Sequence, residues 1–138
     1  MIRSVPNVGQ LFGSMSDDMS FTIMDVIYHG METTEELRDK LNISKKECYH
    51  RIVRLVNVGL IERKQGKYNV TSFGKVIFGA QLKIAKAMQE IWTLKALDTI
   101  RISDISEINY EHIVNELIKD NEIKTVIMQL SLSRNTNG

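Results

Sequence analysis

Between residues 44 and 59, apolar side chains recur at spacings of four and three, which is the spacing of one face of an α-helix. Cys48, Ile52 and Leu55 make up that face, and the opposite side is polar and largely basic. Gly59 follows, and glycine readily adopts the left-handed backbone that ends a helix. The pattern therefore predicts a helix with one buried face that ends at Gly59 and leads into a strand.

Two capping sequences indicate where this helix and the preceding one begin. Ser44 with Glu47, and likewise Thr33 with Glu36, can form a capping box in which each side chain satisfies a backbone amide of the other residue. After Thr33, two leucines at spacing four predict a short amphipathic helix, and only two residues separate its end from Ser44. A connection this short makes two helices cross steeply, so the segment predicts a helix-turn-helix.

The stretch after Gly59 predicts a β-hairpin. Residues 60–65 and 68–71 form two runs with strand-like alternation on either side of a Gly66-Lys67 turn. Apolar side chains of both runs can face the core while the basic side chains stay in water. We therefore expect a short hairpin with a basic tip.

From Ser72 to about Ile100 the chain has no proline and no cluster of turn residues, so a single long helix is the simplest prediction. Its apolar positions cover an arc of roughly 200°, about twice what a one-sided surface helix needs. The expected partner is the same helix of a second copy in a two-fold dimer, and the alternative is a bundle closed within one chain. The expected dimer contact follows a seven-residue repeat and an adjacent stripe: Ile77, Ala80, Ile84, Ala87, Met88, Ile91, Trp92 and Leu94.

Shorter patterns predict three further helices. Pro6 favours a helix start, so we expect a short leading helix that covers the dimer region. Residues 110–117 and 123–130 each have helical spacing of apolar side chains. Residues 132–138 lack that spacing, which predicts a flexible tail.

The net charge of +1 hides an uneven distribution of charge along the chain. Residues 17–36 carry six acidic side chains and neither lysine nor arginine. Residues 38–67 carry nine basic and three acidic side chains, a local net charge of +6, and residues 98–122 are acidic again. The basic block coincides with the predicted helix-turn-helix and hairpin, where lysine and arginine can neutralise nucleic-acid phosphates. A solvated helix face, or an acidic protein or membrane surface, would use the same charges.

The order and spacing of these segments resemble winged-helix transcriptional regulators of the ArsR and MarR type, and the resemblance covers residues 16–74. MSDDMSFTIMDVIYHG is similar to the first helix of that family, TTEELRDKLNISKKECYHRIVRLVNVGLIERK to its helix-turn-helix with the start of the wing, and YNVTSFG to the exit from the wing. There are two departures. Ser20 stands where many ArsR-type members carry an arginine, and the paired cysteines of their metal sensors are missing.

The resemblance implies a mostly α-helical winged helix-turn-helix with a small β-hairpin wing and a long C-terminal dimerisation helix. It further implies a homodimeric transcriptional regulator that binds duplex DNA sequence-specifically, with the second helix of the motif in the major groove. The alternatives are a protein-interaction module of a larger assembly and a sequence-tolerant architectural DNA binder. The side chains expected on DNA are Lys45, Lys46, Tyr49 and His50 for bases, Arg51 and Arg54 mostly for the backbone, and Arg63, Lys64 and Lys67 of the wing for phosphates or the minor groove.

The chain has no glycine-rich phosphate loop, nucleophile elbow or H-E-x-x-H pair, so we expect neither an enzyme nor a cofactor. His29, His50 and His112 are far apart in sequence, and we expect no metal site from them. Cys48 lies on the predicted inner face and is expected to be a core residue, with a redox switch as the alternative. Trp92 is expected in core or dimer packing, and a small-molecule effector pocket beside it is the alternative.

Length and composition, 138 residues with 43% apolar and 25% charged side chains, suit a globular protein of ordinary core size. The chain shows no amino-terminal signal region and no apolar run of about 18 residues that could span a membrane, so we expect a cytoplasmic protein without a membrane partner. The expected organisation is a winged helix-turn-helix DNA-binding domain with a short leading helix at 1–74, a helical dimerisation region packed with it as one unit at 75–131, and the tail at 132–138.

Overall fold

The structure, a computed structural model, describes residues 5–30, 33–102 and 105–135, and these form helices together with one two-stranded sheet. The predicted mostly helical fold with a small hairpin is confirmed. The chain divides into two compact units, one up to Gly79 and one from Ala80. In chain order the elements are α1 (Val8–Met15), α2 (Asp18–His29), α3 (Thr34–Leu41), α4 (Lys45–Asn57), β1 (Ile61–Lys64), β2 (Lys67–Val70), α5 (Ser72–Gln89), α6 (Ile91–Ile102), α7 (Glu107–Leu117) and α8 (Asn121–Asn135).

The helix-turn-helix is formed by α3 and α4. The capping box predicted at the start of α3 is present, because the Thr33 side chain accepts from the Glu36 amide at 3.2 Å and Glu36 Oε2 accepts from the Thr33 amide at 2.8 Å. After α3, Asn42 adopts a left-handed backbone with φ 51°, which turns the chain directly toward the cap of α4.

The start of α4 differs in one detail from the predicted capping box. Ser44 is the N-cap and its hydroxyl accepts from the Glu47 amide at 3.1 Å, as expected. The Glu47 carboxylate, however, accepts from Arg51 Nη1 at 2.9 Å, one helical turn further on. A hydrogen bond between two charged groups is stronger than one to a neutral backbone amide, so the carboxylate turns along the helix.

The helix α4 ends at the position that Gly59 predicted. Gly59 has a positive φ of 81°, and its amide donates to the Val56 carbonyl at 3.0 Å. The Leu60 amide donates to the Leu55 carbonyl, also at 3.0 Å. These two bonds form the Schellman motif, which satisfies carbonyl groups at the end of the helix and directs the chain into β1.

The wing is the antiparallel pair of β1 and β2, and its turn lies one residue earlier than predicted. Lys64 pairs with Lys67, so the two turn residues are Gln65 and Gly66, with φ values of 53° and 77°, and Lys67 belongs to β2. A two-residue hairpin with positive φ at both positions has the backbone twist that matches the twist of its strands. The twist of the strands therefore decides which residue pair makes the turn.

The core of the first unit lies between α2, the helix-turn-helix and the wing, and the start of α5 contributes Phe78. The predicted inner face of α4 is confirmed as buried. The leading helix is present as α1 with Asn7 as its N-cap, but it packs on α2 and α4. The buried side chains of this core are Ile23, Met24, Ile27, Leu37, Cys48, Ile52, Leu55, Val58, Leu60, Ile61, Tyr68, Val70 and Phe78.

The long helix predicted from Ser72 to Ile100 is divided at Glu90 into α5 and α6. The Glu90 amide donates to the carbonyls of both Lys86, at 3.1 Å, and Ala87, at 3.2 Å, which is the shared bond typical of a tightening helix end. Neither proline nor glycine marks this position. The cause is tertiary, because Leu97 of α6 is buried against residues of α7 and α8 that are distant in sequence.

In the second unit, Leu97, Val114 and Ile118 form a small buried cluster. The helices predicted for residues 110–117 and 123–130 are confirmed as α7 and α8. Because α8 reaches Asn135, residues 132–135 of the predicted flexible tail are helical, and residues 136–138 lie outside the described part of the chain. Within residues 5–30, 33–102 and 105–135, no helix combines the length and the apolar character that crossing a membrane requires.

Candidate nucleic-acid interface

The amino-terminal half of α4 presents a group of exposed polar side chains. Lys45, Lys46, Tyr49 and His50 are all exposed, and 66% of Tyr49 is accessible. They share one side of the helix because positions three and four apart lie close together on its surface. The opposite side is closed by the buried Cys48, so α4 is anchored on one face and open on the other. The structure thus brings together the four side chains predicted to meet bases.

Arg51 lies behind this group and is engaged within the molecule. Its Nε donates to Asp17 Oδ1 at 3.1 Å and its Nη1 donates to Glu47 Oε1 at 2.9 Å, and only 21% of its side chain is accessible. Asp17 is also the N-cap of α2, because Oδ1 accepts from the Ser20 amide at 2.8 Å. One carboxylate therefore joins the start of α2 to the middle of α4.

The pKa of the Asp17 carboxyl reflects these contacts. Burial by itself raises that pKa, but hydrogen bonds from the Ser20 amide, from Arg51 and from the Ser20 hydroxyl, together with the charge of Arg51, outweigh burial. The net effect is a pKa below the ordinary value of 3.8, so Asp17 is ionised at neutral pH. The contact with Arg51 is thus an ion pair as well as a hydrogen bond.

Arg54, one turn beyond Arg51, contacts α1. Its Nη2 donates to the backbone carbonyl of Gly13, and the side chain is half-buried. It also lines an open cavity of about 420 Å³ between α1 and the end of α4, together with Gln10 and Asn57. Both arginines predicted to meet the DNA backbone therefore contact neighbouring helices instead of extending into solvent.

The wing carries three exposed basic side chains, Arg63, Lys64 and Lys67. The Arg63 guanidinium carbon lies 5.8 Å from the centre of the Tyr68 ring, and Lys64 Nζ lies 3.2 Å from Glu62 Oε1. Hydrogen bonds from Lys64 and from Asn69 lower the pKa of the Glu62 carboxyl, so the wing bears one negative charge beside its basic residues. Lys67 is the first residue of β2 and follows the turn directly.

Comparison with solved structures places this arrangement among known folds. The chain superposes on YodB of B. subtilis, both in a quinone-bound crystal structure (TM-score 0.55, 18% identity, 59% of this chain and 94% of that one) and in the reduced form of that transcriptional regulator (TM-score 0.55, 18% identity, 63% and 93%). It also superposes on the homodimeric winged helix-turn-helix DNA-binding domain of Mb0332 from Mycobacterium bovis, a possible ArsR-family transcriptional regulator (TM-score 0.53, 16% identity, 58% and 79%).

The fold is a winged helix-turn-helix. No protein-family model matches the chain, and no curated protein matches it in sequence. The predicted fold class is confirmed by these structural relatives, whose sequence identity of 16–18% shows the fold alone. In this fold, α4 is the second helix of the helix-turn-helix, and the hairpin of β1 and β2 is the wing.

The contacts of Asp17 with Arg51 and Ser20 were not predicted from the sequence. Ser20 is 1% exposed, and its hydroxyl donates to Asp17 Oδ2 at 3.0 Å, beneath the ion pair with Arg51. An arginine in place of Ser20 would need room and a second acidic partner at this buried point. Asp17, three residues before Ser20 at the start of an apolar periodic run, was the available signal, since aspartate is a preferred N-cap.

The residues predicted for a dimer contact fall into two groups by exposure. Ile77, Ala87 and Leu94 are half-buried, and Ile77 packs against the core of the winged helix-turn-helix unit. The others are exposed and are distributed over two helices, because α5 ends at Gln89. They are Ala80, Ile84 and Met88 on α5, and Ile91 and Trp92 on α6.

Cys48 is completely buried, and burial raises the pKa of its thiol above the ordinary value; the charge of Arg38 acts in the opposite direction. This is the environment of a core side chain rather than of a reactive thiolate. His29, His50 and His112 lie on three different helices and are all exposed. Among the residues that the structure describes, no group of three or more His, Cys, Asp and Glu side chains is arranged to hold a metal ion.

Proposed function

We propose that this protein is a homodimeric transcriptional regulator that binds specific sequences in duplex DNA. In this proposal the amino-terminal half of α4 enters the major groove, and the wing contacts the DNA backbone or the adjacent minor groove. The observation that carries the proposal is the open face of α4, where Lys46, Tyr49 and His50 are exposed while the opposite face is buried in the core. Structural relatives described as DNA-binding or as transcriptional regulators support it.

The chemistry of the open face suits the edges of base pairs. Lys45 and Lys46 carry amino groups that can donate to the acceptor atoms of guanine, and His50 can donate or accept. Tyr49 adds a hydroxyl and an aromatic ring, of which 66% is accessible. A helix with these side chains in its first two turns has the form with which recognition helices meet bases.

Charge supports the same orientation. Residues 38–67, which run from the second half of α3 through α4 and β1 to the wing turn, have a local net charge of +6, whereas residues 17–36 carry six acids and no lysine or arginine. A basic surface of this kind releases counterions when it meets phosphates, so the affinity should fall steeply as salt rises. Lys45 at the start of α4 and Lys67 beside the wing turn are both exposed.

Arg51 and Arg54 receive a different role in the proposal from the one their sequence positions predict. Arg51 is bound to Asp17 and Glu47, and Arg54 to the Gly13 carbonyl. We propose that they set the angle at which α4 projects from α1 and α2, instead of contacting the DNA backbone directly. A recognition helix needs such support because a small rotation moves its side chains out of register with the bases.

The proposed dimer would present two recognition helices related by a two-fold axis. Half-sites about one helical turn apart in a pseudo-palindromic operator would then be expected. The exposed apolar side chains at the end of α5 and the start of α6 support self-association, because large contiguous apolar patches on proteins usually mark contact surfaces.

The test is a titration of the chain onto a random pool of DNA duplexes, followed by selection and sequencing of the bound fraction. The selected duplex is then titrated at several salt concentrations. Lys46→Ala should weaken binding about tenfold, which corresponds to about 1.4 kcal/mol. Lys119→Ala, an equally exposed lysine between α7 and α8, is the matched control and should leave the affinity unchanged.

Four outcomes would overturn the proposal. Affinity that does not depend on salt would show that phosphate contacts do not contribute to binding. Equal affinity of Lys46→Ala and wild type would show that α4 does not lie in the interface. Binding without any enriched sequence would replace sequence-specific regulation with architectural binding. No binding to any duplex would favour the protein-interaction module.

A further inference from the structure

An apolar groove lies within the second unit, between the carboxyl-terminal part of α5, α6 and the first half of α8. Its volume is about 310 Å³, which is at the small end of sites that hold a compact organic group. Charged groups of Lys83, Lys86, Asp120 and Glu122 stand at its rim. Its walls are aliphatic: Ile84, Ala87, Leu94, Ile123, Val126 and Ile127.

The same unit carries an exposed indole. Trp92 lies at the start of α6 with 76% of its surface accessible, and Met88 and Ile91 beside it are 68% and 42% accessible. Lys95 Nζ lies 4.6 Å from the centre of the Trp92 ring, so one side of the indole is covered by a cation. A bulky aromatic held out in water by a helix is the kind of side chain that anchors protein contacts.

We propose that Trp92 of one copy fills the groove of a second copy, and that the exchange is reciprocal around a two-fold axis. The inference rests on the proposed dimer and names the contact that forms it. Each copy carries both the projecting indole and the receiving groove on one compact unit, as a self-complementary interface requires.

The rim of the groove carries two lysines and two acidic side chains, and one of the acids can receive the charge that this occupant brings. Asp120 at the rim is paired with Lys86, at 3.4 Å between Oδ2 and Nζ, and Glu122 stands beside it. Lys95 stacks on Trp92 and would arrive at the partner's rim together with the indole, where an acidic side chain can pair with it. In this arrangement the aliphatic walls meet the ring, and Glu122 is the acidic side chain that meets the ammonium group.

The extent of exposed apolar surface favours a second copy over a small molecule. A small ligand in the groove would cover Ile84 and Val126 but would leave Trp92 and Met88 in water. A reciprocal contact covers the groove of each copy and the exposed residues of the other in one step. It therefore removes more apolar surface from water than a ligand in the groove does.

The chain contains a single tryptophan, so its fluorescence reports directly on this contact. At concentrations where light scattering shows a dimer, the emission of Trp92 should be shifted to the blue and protected from iodide quenching. On dilution to the monomer, the emission should shift to the red and become fully quenchable. Trp92→Ala should raise the dimer dissociation constant by roughly thirtyfold, as loss of a central aromatic anchor does.

A matched pair of variants tests the groove. Val126→Glu places a charge on the groove wall, and Ile108→Glu places the same charge on α7, where Ile108 is 81% accessible and does not line the groove. Val126→Glu should remain monomeric with red-shifted emission, and Ile108→Glu should dimerise like wild type. Far-ultraviolet circular dichroism of both variants confirms that they are folded.

The proposal is overturned if the wild-type dimer leaves Trp92 fully quenchable, if Val126→Glu dimerises as well as Ile108→Glu, or if the chain stays monomeric at all concentrations. Binding of an apolar fluorescent probe in the groove of a stable monomer would assign the groove to a small ligand instead. DNA titration is read separately. If Trp92 is protected from iodide in a chain that binds no DNA, the proposed function is overturned and the proposed dimer contact is retained.

Discussion

Arg51 Nε donates to Asp17 Oδ1 at 3.1 Å, and this contact joins α4 to the cap of α2 across 34 positions of the chain. The same carboxylate accepts from the amide and the hydroxyl of Ser20. A single carboxylate thus caps the start of α2 and also binds an arginine of α4. Its removal has consequences for stability that can be measured without knowledge of any ligand.

Replacement of Asp17 by alanine should lower the free energy of unfolding by about 1–2 kcal/mol, because both the N-cap of α2 and the partner of Arg51 are lost. Urea denaturation followed by circular dichroism measures this change. Asp18→Ala is the matched control, since Asp18 is exposed in the first helical turn and should contribute about 0.5 kcal/mol or less through the helix dipole. Equal losses in the two variants would show that neither the N-cap nor the contact with Arg51 stabilises the protein.

Stability should depend on pH through the same carboxyl. The pKa of Asp17 is depressed in the folded protein, so folding is favoured by its ionised form above the pKa of the unfolded chain, near 3.8. This stabilisation should be lost as the pH falls through the folded-state pKa. Between pH 6 and strongly acidic pH, wild type should therefore lose more stability than Asp17→Asn in parallel urea titrations. Identical pH profiles for the two proteins would contradict the depressed pKa.

Two glycines of α5 should respond oppositely to alanine. A Cβ at Gly74 would overlap the Leu60 carbonyl oxygen and lie 2.8 Å from Val70 Cγ1, whereas a Cβ at Gly79 would meet nothing within 4 Å. Gly74→Ala should cost about 1–3 kcal/mol, because the helix must move away from the wing. Gly79→Ala should stabilise the protein by about 0.5–1 kcal/mol, since alanine is the better residue within a helix. Urea midpoints that shift in the same direction would refute the close approach at Gly74.

Cys48 should be unreactive in the folded protein. It is completely buried, and burial raises the pKa of its thiol, so little thiolate is present or accessible at neutral pH. Reaction with a chromogenic disulfide reagent should be slow in buffer and rapid in denaturing urea. Because the chain contains one cysteine, the absorbance reports this site alone. Rapid stoichiometric reaction of the folded chain would restore the redox-switch alternative.

Features that depend on neighbours within a few residues were predictable from the sequence. The capping box of Thr33 and Glu36, the Ser44 cap and the glycine at the end of α4 all formed as the residue order indicated. The exposed and buried faces of α4 followed from apolar spacing. Each of these depends on hydrogen bonds or side-chain directions inside one helix and its two ends, so short segments contain the necessary information.

Features that depend on distant contacts were not predictable in the same way. Apolar spacing favoured an unbroken helix through Glu90, but packing of Leu97 against α7 and α8 divides it. Arg51 and Arg54 lie on the helix side predicted to meet the DNA backbone, yet both find partners on α1 or at the cap of α2. An arginine in a sequence carries no sign of whether a carboxylate or carbonyl will lie within its reach.

By itself, the sequence determined the helix-turn-helix, the wing and the basic face of α4, because caps, glycines and apolar periodicity act over a few residues. Tertiary structure alone decided that Asp17 binds Arg51, that the predicted long helix ends at Gln89, and that Trp92 is exposed to water. The physical reason is that burial and ion pairing are properties of surfaces brought together by folding, and their partners lie tens of residues apart.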